Sequence, residues 1–81
     1  KIDLGPMKSE SRLAIFHKNI PNMIGQISTT LSSIGVNIAN MSDKSKGEFA
    51  YSLIDAESHI DQEVLDRLKA IEGVYRVRKI Q

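Results

Sequence analysis

Two segments with helical spacing of apolar residues, each followed by a glycine, limit the fold of this sequence more than any other feature. The first has apolar residues three or four positions apart and ends at Gly35. The second has a similar stripe and ends at Gly73. The apolar positions of the two stripes are Ile24, Ile27, Leu31 and Ile34, and Val64, Leu65, Leu68 and Ile71. Each stripe must bury one face, so the rest of the chain has to supply an apolar surface for two helices.

The starts of both segments also favour helices. Pro21 suits a first helical turn, and either Asn19 or Asn22 can cap the first helix. Asp61 is a candidate N-cap for the second, with Ile60 and Leu65 spaced as a hydrophobic staple.

Short strand-like runs surround these helices. They cover residues 12–17, 36–41, 49–54 and 74–80, and a polar turn over residues 43–47 joins the middle two. The resulting order βαββαβ predicts an α+β, ferredoxin-like fold: a four-stranded antiparallel sheet with two helices on one face. We expect residues 1–11 to be a linker from a preceding domain and residues 12–81 to form the domain itself.

Composition narrows the possible functions. The net charge is +1 and there is no cysteine, which argues against nucleic acid or membrane partners and excludes disulfide and thiol chemistry. No apolar stretch approaches the ~20 residues that span a bilayer, so we expect a cytoplasmic domain.

Proteins with this order of elements have several functions, and the residues that some of those functions need are missing from this sequence. RNA recognition needs exposed aromatics on the central strands and a basic sheet face, whereas Phe16 and Phe49 are expected in the core. Asp55, Glu57 and His59 alternate in an extended segment, but a solvated, cap-forming loop explains them better than a metal site. We expect no metal and no catalysis from this chain itself.

One polar group of residues remains, placed before and after the first helix. His17 and Asn19 precede that helix, and Asn37 follows it. A free amino acid carries a carboxylate and an ammonium group, and an Asn amide supplies both a donor and an acceptor. A helix start adds unpaired N–H groups that suit a carboxylate. Taken by themselves, the same residues also fit a helix cap, a turn and a polar strand end.

The run from Arg12 to Asn40 resembles the ACT domain of D-3-phosphoglycerate dehydrogenases, whose pattern is His-x-Asn-x-Pro-Gly, a helix, and Gly-Val-Asn-Ile. His17, Asn19 and Pro21 match its first part, and residues 35–38 match its second. The resemblance continues more loosely over residues 51–55 and 71–78. Asn22 stands where the family pattern has glycine.

This resemblance implies an allosteric regulatory domain that binds L-serine at a dimer interface and provides feedback control of serine biosynthesis. By the family pattern His17, Asn19 and Asn37 are the serine ligands, and Asn22 and Ile38 are further candidates. The catalytic domains of such a parent enzyme bind NAD, whereas this chain is expected to hold no cofactor. Two copies are expected to join edge strands near residues 12–17, and the edge is expected to be long, flat and free of charges. The alternatives are a structural oligomerisation module without effector and an ACT domain that senses another amino acid.

Overall fold

The computed structural model describes residues 11–80, and the predicted order of elements is confirmed. The elements are β1 (Ser11–Lys18), α1 (Met23–Ser33), β2 (Ile38–Lys46), β3 (Phe49–Ala56), α2 (Gln62–Lys69) and β4 (Val74–Lys79). All strand pairs are antiparallel, and the sheet order is β2-β3-β1-β4. The α+β, ferredoxin-like prediction is therefore correct.

The predicted edge of the sheet is wrong. The strand that contains residues 12–17 pairs with β3 on one side and β4 on the other, so it is central. The edges are β2 and β4, and both carry charges, among them Asp43 and Lys44 on β2 and Arg76 on β4. Charged edge residues hinder unspecific pairing of strands from different molecules.

The core lies between one face of the sheet and the two helices. Alternate residues of β1 and β3 point into it, because successive side chains of a strand leave on opposite faces. The buried cluster consists of Leu13, Ile15, Ile27, Leu31, Val36, Ile54, Ala56, Ile60, Val64, Leu68 and Val77. The apolar stripes of the two helices form one side of this cluster, as predicted. Ile24 is the exception, because it lies outside the cluster with 40% of its surface exposed.

The opposite side of the sheet, called here the open face, carries aromatic residues. Phe16 pairs with Tyr51 across β1 and β3, which places both rings on that face. Phe49 lies two residues from Tyr51 on the same strand and is 60% exposed, and Phe16 is 38% exposed. The expectation that Phe16 and Phe49 are core residues is wrong, since their strand register directs them away from the helices.

The hairpin between β2 and β3 is tighter than predicted. β2 continues to Lys46, and only Gly47 and Glu48 form the turn, whereas the sequence suggested a polar turn over residues 43–47. Gly47 has φ +61, a conformation that glycine adopts at no steric cost. This two-residue turn fixes the register of the hairpin, and Asp43 becomes the partner of Ser52.

The predicted linker, residues 1–11, lies outside the described residues except for Ser11. Ser11 belongs to β1, is buried and pairs with Ala56, so the strand begins one residue before the predicted boundary. Within residues 11–80, no helix is long and apolar enough to cross a membrane.

Candidate ligand site

His17 lies at the end of β1 and points to the helix side of the sheet, where it is 2% exposed. Its Nδ1 donates to the carbonyl oxygen of Lys18 at 2.8 Å. Its Nε2 lies 3.2 Å from Asp43 Oδ1 and 3.2 Å from Ser52 Oγ. Both ring nitrogens are therefore engaged within the chain, and direct contact with a ligand requires one of these bonds to be exchanged.

Ser52 and Asp43 complete a polar cluster that sequence reasoning missed. Ser52 is buried and donates from its Oγ to Asp43 Oδ1 at 2.6 Å. The two residues face each other because the turn at Gly47 and Glu48 sets the hairpin register. The signal in the sequence is Gly47, because a two-residue turn at Gly47 and Glu48 predicts that Asp43 pairs with Ser52.

Asn19 is held against the β2–β3 turn. Its side-chain Nδ2 donates to Gly47 O at 3.0 Å, and its backbone N–H donates to Glu48 O at 2.9 Å. Asn19 is exposed and does not cap α1. These two bonds fix the loop between β1 and α1, of which Asn19 is the first residue.

Asn22 occupies the N-cap position of α1 with φ 70 and ψ 8, the left-handed conformation, and its side chain makes no capping hydrogen bond. The prediction that Asn19 or Asn22 caps this helix with its side chain is therefore wrong. The left-handed backbone explains why the resembling pattern has glycine here, since glycine adopts it without penalty and Asn is among the residues that tolerate it.

The first turn of α1 carries no negative charge, which suits an anion. It contains no acidic residue and receives no side-chain cap, so the partial positive charge of the helix start is uncompensated by the described residues. A Cβ on Gly25 would lie 2.8 Å from Asn22 Oδ1, which means that only glycine lets the Asn22 side chain fold over this turn. A shallow cleft of about 290 Å³ continues from these two residues along α1 to Thr29 and Thr30.

Asn37 and Ile38 lie at the other end of the sheet. Ile38 starts β2 opposite Ala56, which pairs with Ser11 of β1, whereas His17 stands six residues further along β1. At ~3.3 Å per residue this separates the two ends by about 20 Å. Asn37 is exposed, and its carbonyl accepts from Glu57 N at 2.9 Å. The chain places His17, Asn19 and Asn22 within six residues of one another, between the end of β1 and the start of α1, although His17 and Asn19 have different hydrogen-bond partners. Asn37 and Ile38 lie apart from all three.

Near the end of β3, Asp55 is held by an ion pair. Arg12 donates to both carboxylate oxygens of Asp55, from Nε at 2.7 Å and from Nη2 at 3.2 Å. This hydrogen bonding and the positive charge lower the pKa of Asp55 against the opposing effect of burial. Asp55 is thus committed to an ion pair, and no group of three potential metal ligands occurs within residues 11–80.

The fold is that of an ACT domain. The crystal structure of the ACT domain from GTP pyrophosphokinase of Chlorobium tepidum matches it with a TM-score of 0.68 at 22% identity, over 86% of this chain and 95% of that chain. The ligand-free regulatory subunit of aspartate kinase from Thermus thermophilus matches with a TM-score of 0.67 at 12% identity, over 90% of this chain and 53% of that chain. At these identities the likeness establishes the fold alone.

Among curated proteins, the chain is similar to D-3-phosphoglycerate dehydrogenase. The enzymes of Escherichia coli (strain K12) and Shigella flexneri are each 31% identical to it over 75 residues. The match covers 90% of this chain but 18% of each enzyme, so the chain spans less than a fifth of the relatives' length. No protein-family model matches the sequence.

Proposed function

We propose that this chain is an amino-acid-binding regulatory domain whose effector is L-serine and whose parent is a D-3-phosphoglycerate dehydrogenase. The ACT fold and the 31% identity to that enzyme support the class and the parent. The start of α1, which has no acidic residue in its first turn and no side-chain cap, supports a ligand that carries a carboxylate. Asn19, held against the β2–β3 turn four residues before this helix, is the nearby amide of the proposed site.

The observation that carries this proposal is the separation of Asn37 from His17 and Asn19. Three residues of one ligand site cannot act together across about 20 Å within a single chain. If two copies join their β2 edges antiparallel about a two-fold axis, the second strand runs in the opposite direction. The partner subunit's Asn37 then lies toward the end of the sheet that holds His17. The proposed site is therefore shared between two subunits.

Specificity for serine over alanine follows from hydrogen bonding. A site that bonds a hydroxyl leaves its own polar groups unpaired when alanine binds, which costs more than the loss of an equal apolar volume. His17 and Asn19 are the proposed partners of the ligand's hydroxyl and carboxylate. Binding of the effector would restrain the catalytic domains of the parent through a coupling of ~1 to 3 kcal/mol.

Titration calorimetry of the 81-residue chain with L-serine, L-alanine and glycine tests the proposal, after sedimentation has established that the chain is a dimer. We expect serine to bind and alanine to bind poorly. Asn19→Ala and Asn37→Ala should each weaken serine binding by ~1 to 3 kcal/mol, because each removes a polar partner of a buried zwitterion.

Thermal unfolding of the same variants separates binding from folding. Neither Asn side chain caps a helix, so Asn37→Ala should melt close to the unmodified chain. Asn19→Ala loses the exposed bond to Gly47 O and should lose about 1 kcal/mol of stability at most. Serine binding that is unchanged in both variants would refute the site. Absence of serine binding to a confirmed dimer, also after Asn22→Gly restores the glycine of the family pattern, would favour a structural oligomerisation module. A thermal-shift panel of the twenty amino acids identifies a different effector.

A further inference from the structure

We propose that the open face of the sheet binds single-stranded nucleic acid, independently of the amino-acid site. Four aromatic side chains lie exposed there or at its rim, although the chain contains only four aromatic residues in total. They are Phe16, Phe49, Tyr51 and Tyr75. None of them belongs to the buried core cluster, and 36% to 60% of the surface of each residue stays exposed in the described fold.

The rings form two pairs. Phe16 and Tyr51 lie on the neighbouring strands β1 and β3, whereas Phe49 and Tyr75 lie on β3 and β4, on either side of β1. The centroids of Phe16 and Tyr51 are 6.0 Å apart, and those of Phe49 and Tyr75 are 5.7 Å apart. Phe16 and Tyr51 stand on the two central strands. Phe16, Phe49 and Tyr51 line a depression of about 340 Å³. Aromatic residues exposed on a four-stranded sheet are the means by which RNA-recognition domains stack two or three unpaired bases.

Cations surround these rings on the same face. Cross-strand partners point their side chains to the same side of a sheet, so the pairing register places each cation. Lys44 is the partner of Tyr51, and Lys46 and Lys18 are both partners of Phe49. On the other side of β1, Arg76 is the partner of Phe16 and Arg78 is the partner of Ala14.

These five cations have no carboxylate partner among the described residues. The salt bridges of residues 11–80 involve Arg12, His17 and Arg67 as cations. The one carboxylate that the strand registers place on the open face is Asp55, which Arg12 already binds. Glu48 lies at the rim, in the hairpin turn. The face is therefore positive although the whole chain carries only +1.

This charge distinguishes between possible occupants. A second copy of the chain would bring five like charges against five, whereas a phosphate backbone is attracted by them and releases counterions on binding. Duplex nucleic acid keeps its bases stacked inside the helix and offers no ring to Phe49 or Tyr51. Unpaired bases expose a π-face to any aromatic side chain, whatever their sequence. A single strand of RNA or DNA offers both a phosphate backbone to the cations and unpaired bases to the rings.

The sequence-based argument against nucleic acid uses the net charge of +1, which is unchanged, and two expectations that the structure does not meet. Phe16 and Phe49 were expected in the core, and the sheet was expected to lack a basic face. A dimer formed through the β2 edges leaves the open face accessible, so this proposal and the serine site can be correct or wrong separately.

Fluorescence anisotropy with the 81-residue chain tests the proposal. The probes are labelled twelve-nucleotide oligo-U and oligo-dT, a twelve-base-pair duplex, and heparin as a competitor that offers charge without bases. We expect both single strands to bind more tightly than the duplex, and comparison of the two shows whether the 2′-hydroxyl contributes. Absence of single-strand binding at low salt, or equal binding of strand and duplex, would overturn the proposal.

Two variants test the two features separately, and a third is the charge-matched control for the second. Phe49→Leu keeps an apolar side chain and removes the ring, and should weaken single-strand binding about 5- to 100-fold. Lys44→Gln with Lys46→Gln should reduce the slope of log affinity against log salt by about 1.4, since each phosphate contact to a single strand contributes about 0.7. The control, Arg67→Gln with Lys69→Gln, removes the same charge from α2 and should leave binding unchanged.

Circular dichroism of each variant establishes that it is folded, and sedimentation addresses the alternative occupant. If Phe49→Leu dissociates a dimer, the open face is an interface between copies of the chain, and the proposal is wrong. If the α2 control weakens binding as much as the β2 variant, the attraction is a property of the net charge and the face is not a site. Retained folding and oligomeric state with selective loss of single-strand binding would support it.

Discussion

Asn22 shows how one residue can be read as a cap in the sequence and act otherwise in the structure. Asn is a frequent N-cap, yet here the backbone at Asn22 is left-handed and the side chain makes no capping bond. The backbone at this position has a positive φ. Glycine, which stands at this position in the resembling pattern, adopts that conformation without penalty.

We therefore predict opposite outcomes for two substitutions at this residue. Asn22→Ala should destabilise the fold by about 1 kcal/mol, because alanine tolerates the left-handed conformation less well than Asn does. Asn22→Gly should change stability by less than about 0.5 kcal/mol, since relief of the strain is offset by a more flexible unfolded chain. Urea unfolding of both variants measures this. Equal losses of stability in Asn22→Ala and Asn22→Gly would indicate that the Asn22 amide group itself stabilises the fold.

Asp55 provides a prediction about pH. Its pKa is lowered in the folded state by the hydrogen bonds and charge of Arg12, relative to ~3.9 for an unfolded Asp. The ion pair therefore stabilises the fold above the unfolded pKa, and this contribution is lost as the pH falls through the folded pKa. Asp55→Asn should be less stable than the unmodified chain at pH 7, and the difference should shrink as the pH falls below the unfolded pKa of ~3.9.

Urea unfolding at several pH values measures the difference between the two chains. Glu57→Gln is a suitable control, because Glu57 is exposed and forms no ion pair among the described residues. A stability difference for Asp55→Asn that stays constant from pH 7 to pH 3 would contradict the assigned role of the ion pair.

At the scale of elements, the two helices begin differently. Asp61 is extended and its Oδ1 accepts from Val64 N at 3.2 Å, as the sequence predicted, and α1 has no side-chain cap. The second helix is also shorter, with Glu63 in its first turn and Lys69 in its last. Both charges interact favourably with the helix dipole and so stabilise α2. Local chemistry stabilises the start of α2, whereas no side chain among residues 11–80 caps the start of α1.

Asp61→Ala should accordingly lower the free energy of unfolding by about 1 kcal/mol, the usual contribution of an N-cap. The neighbouring Gln62→Ala, which removes an exposed side chain beyond the cap, is the matched control and should have a smaller effect. Thermal or urea unfolding gives both values. Similar effects of the two would mean that the Asp61 cap contributes little to α2.

At the scale of the whole molecule, the proposed effector site requires two chains. We predict complementation between two inactive variants. In a dimer with Asn19→Ala in one subunit and Asn37→Ala in the other, one of the two shared sites keeps both Asn residues. An equimolar mixture of the variants should recover about a quarter of the serine sites after subunit exchange.

Calorimetry of the mixture, compared with each variant alone, counts the recovered sites. A mixture that binds no more serine than its two components would show that the site is not shared in this way. Sedimentation that gives a monomer at high micromolar concentration would also contradict it.

The sequence by itself determined the order and type of the elements. The helical stripes that end at Gly35 and Gly73, the Asp61 cap and the strand-like runs are local patterns, and local patterns are set by the period of the backbone and by residue conformational preferences. The motif around His17 and Asn19 indicated where a ligand site would lie for the same reason, since its residues are neighbours in the chain.

Only the tertiary structure decided which face each strand presents and which residues meet across the sheet. A shift of one residue in register exchanges the two faces, and the short runs of this chain left that choice open. The turn at Gly47 and Glu48 directs Phe49 and Tyr51 to the open face and brings Ser52 to Asp43 beside His17. Strand order, which no local pattern encodes, makes β1 central and separates Asn37 from His17.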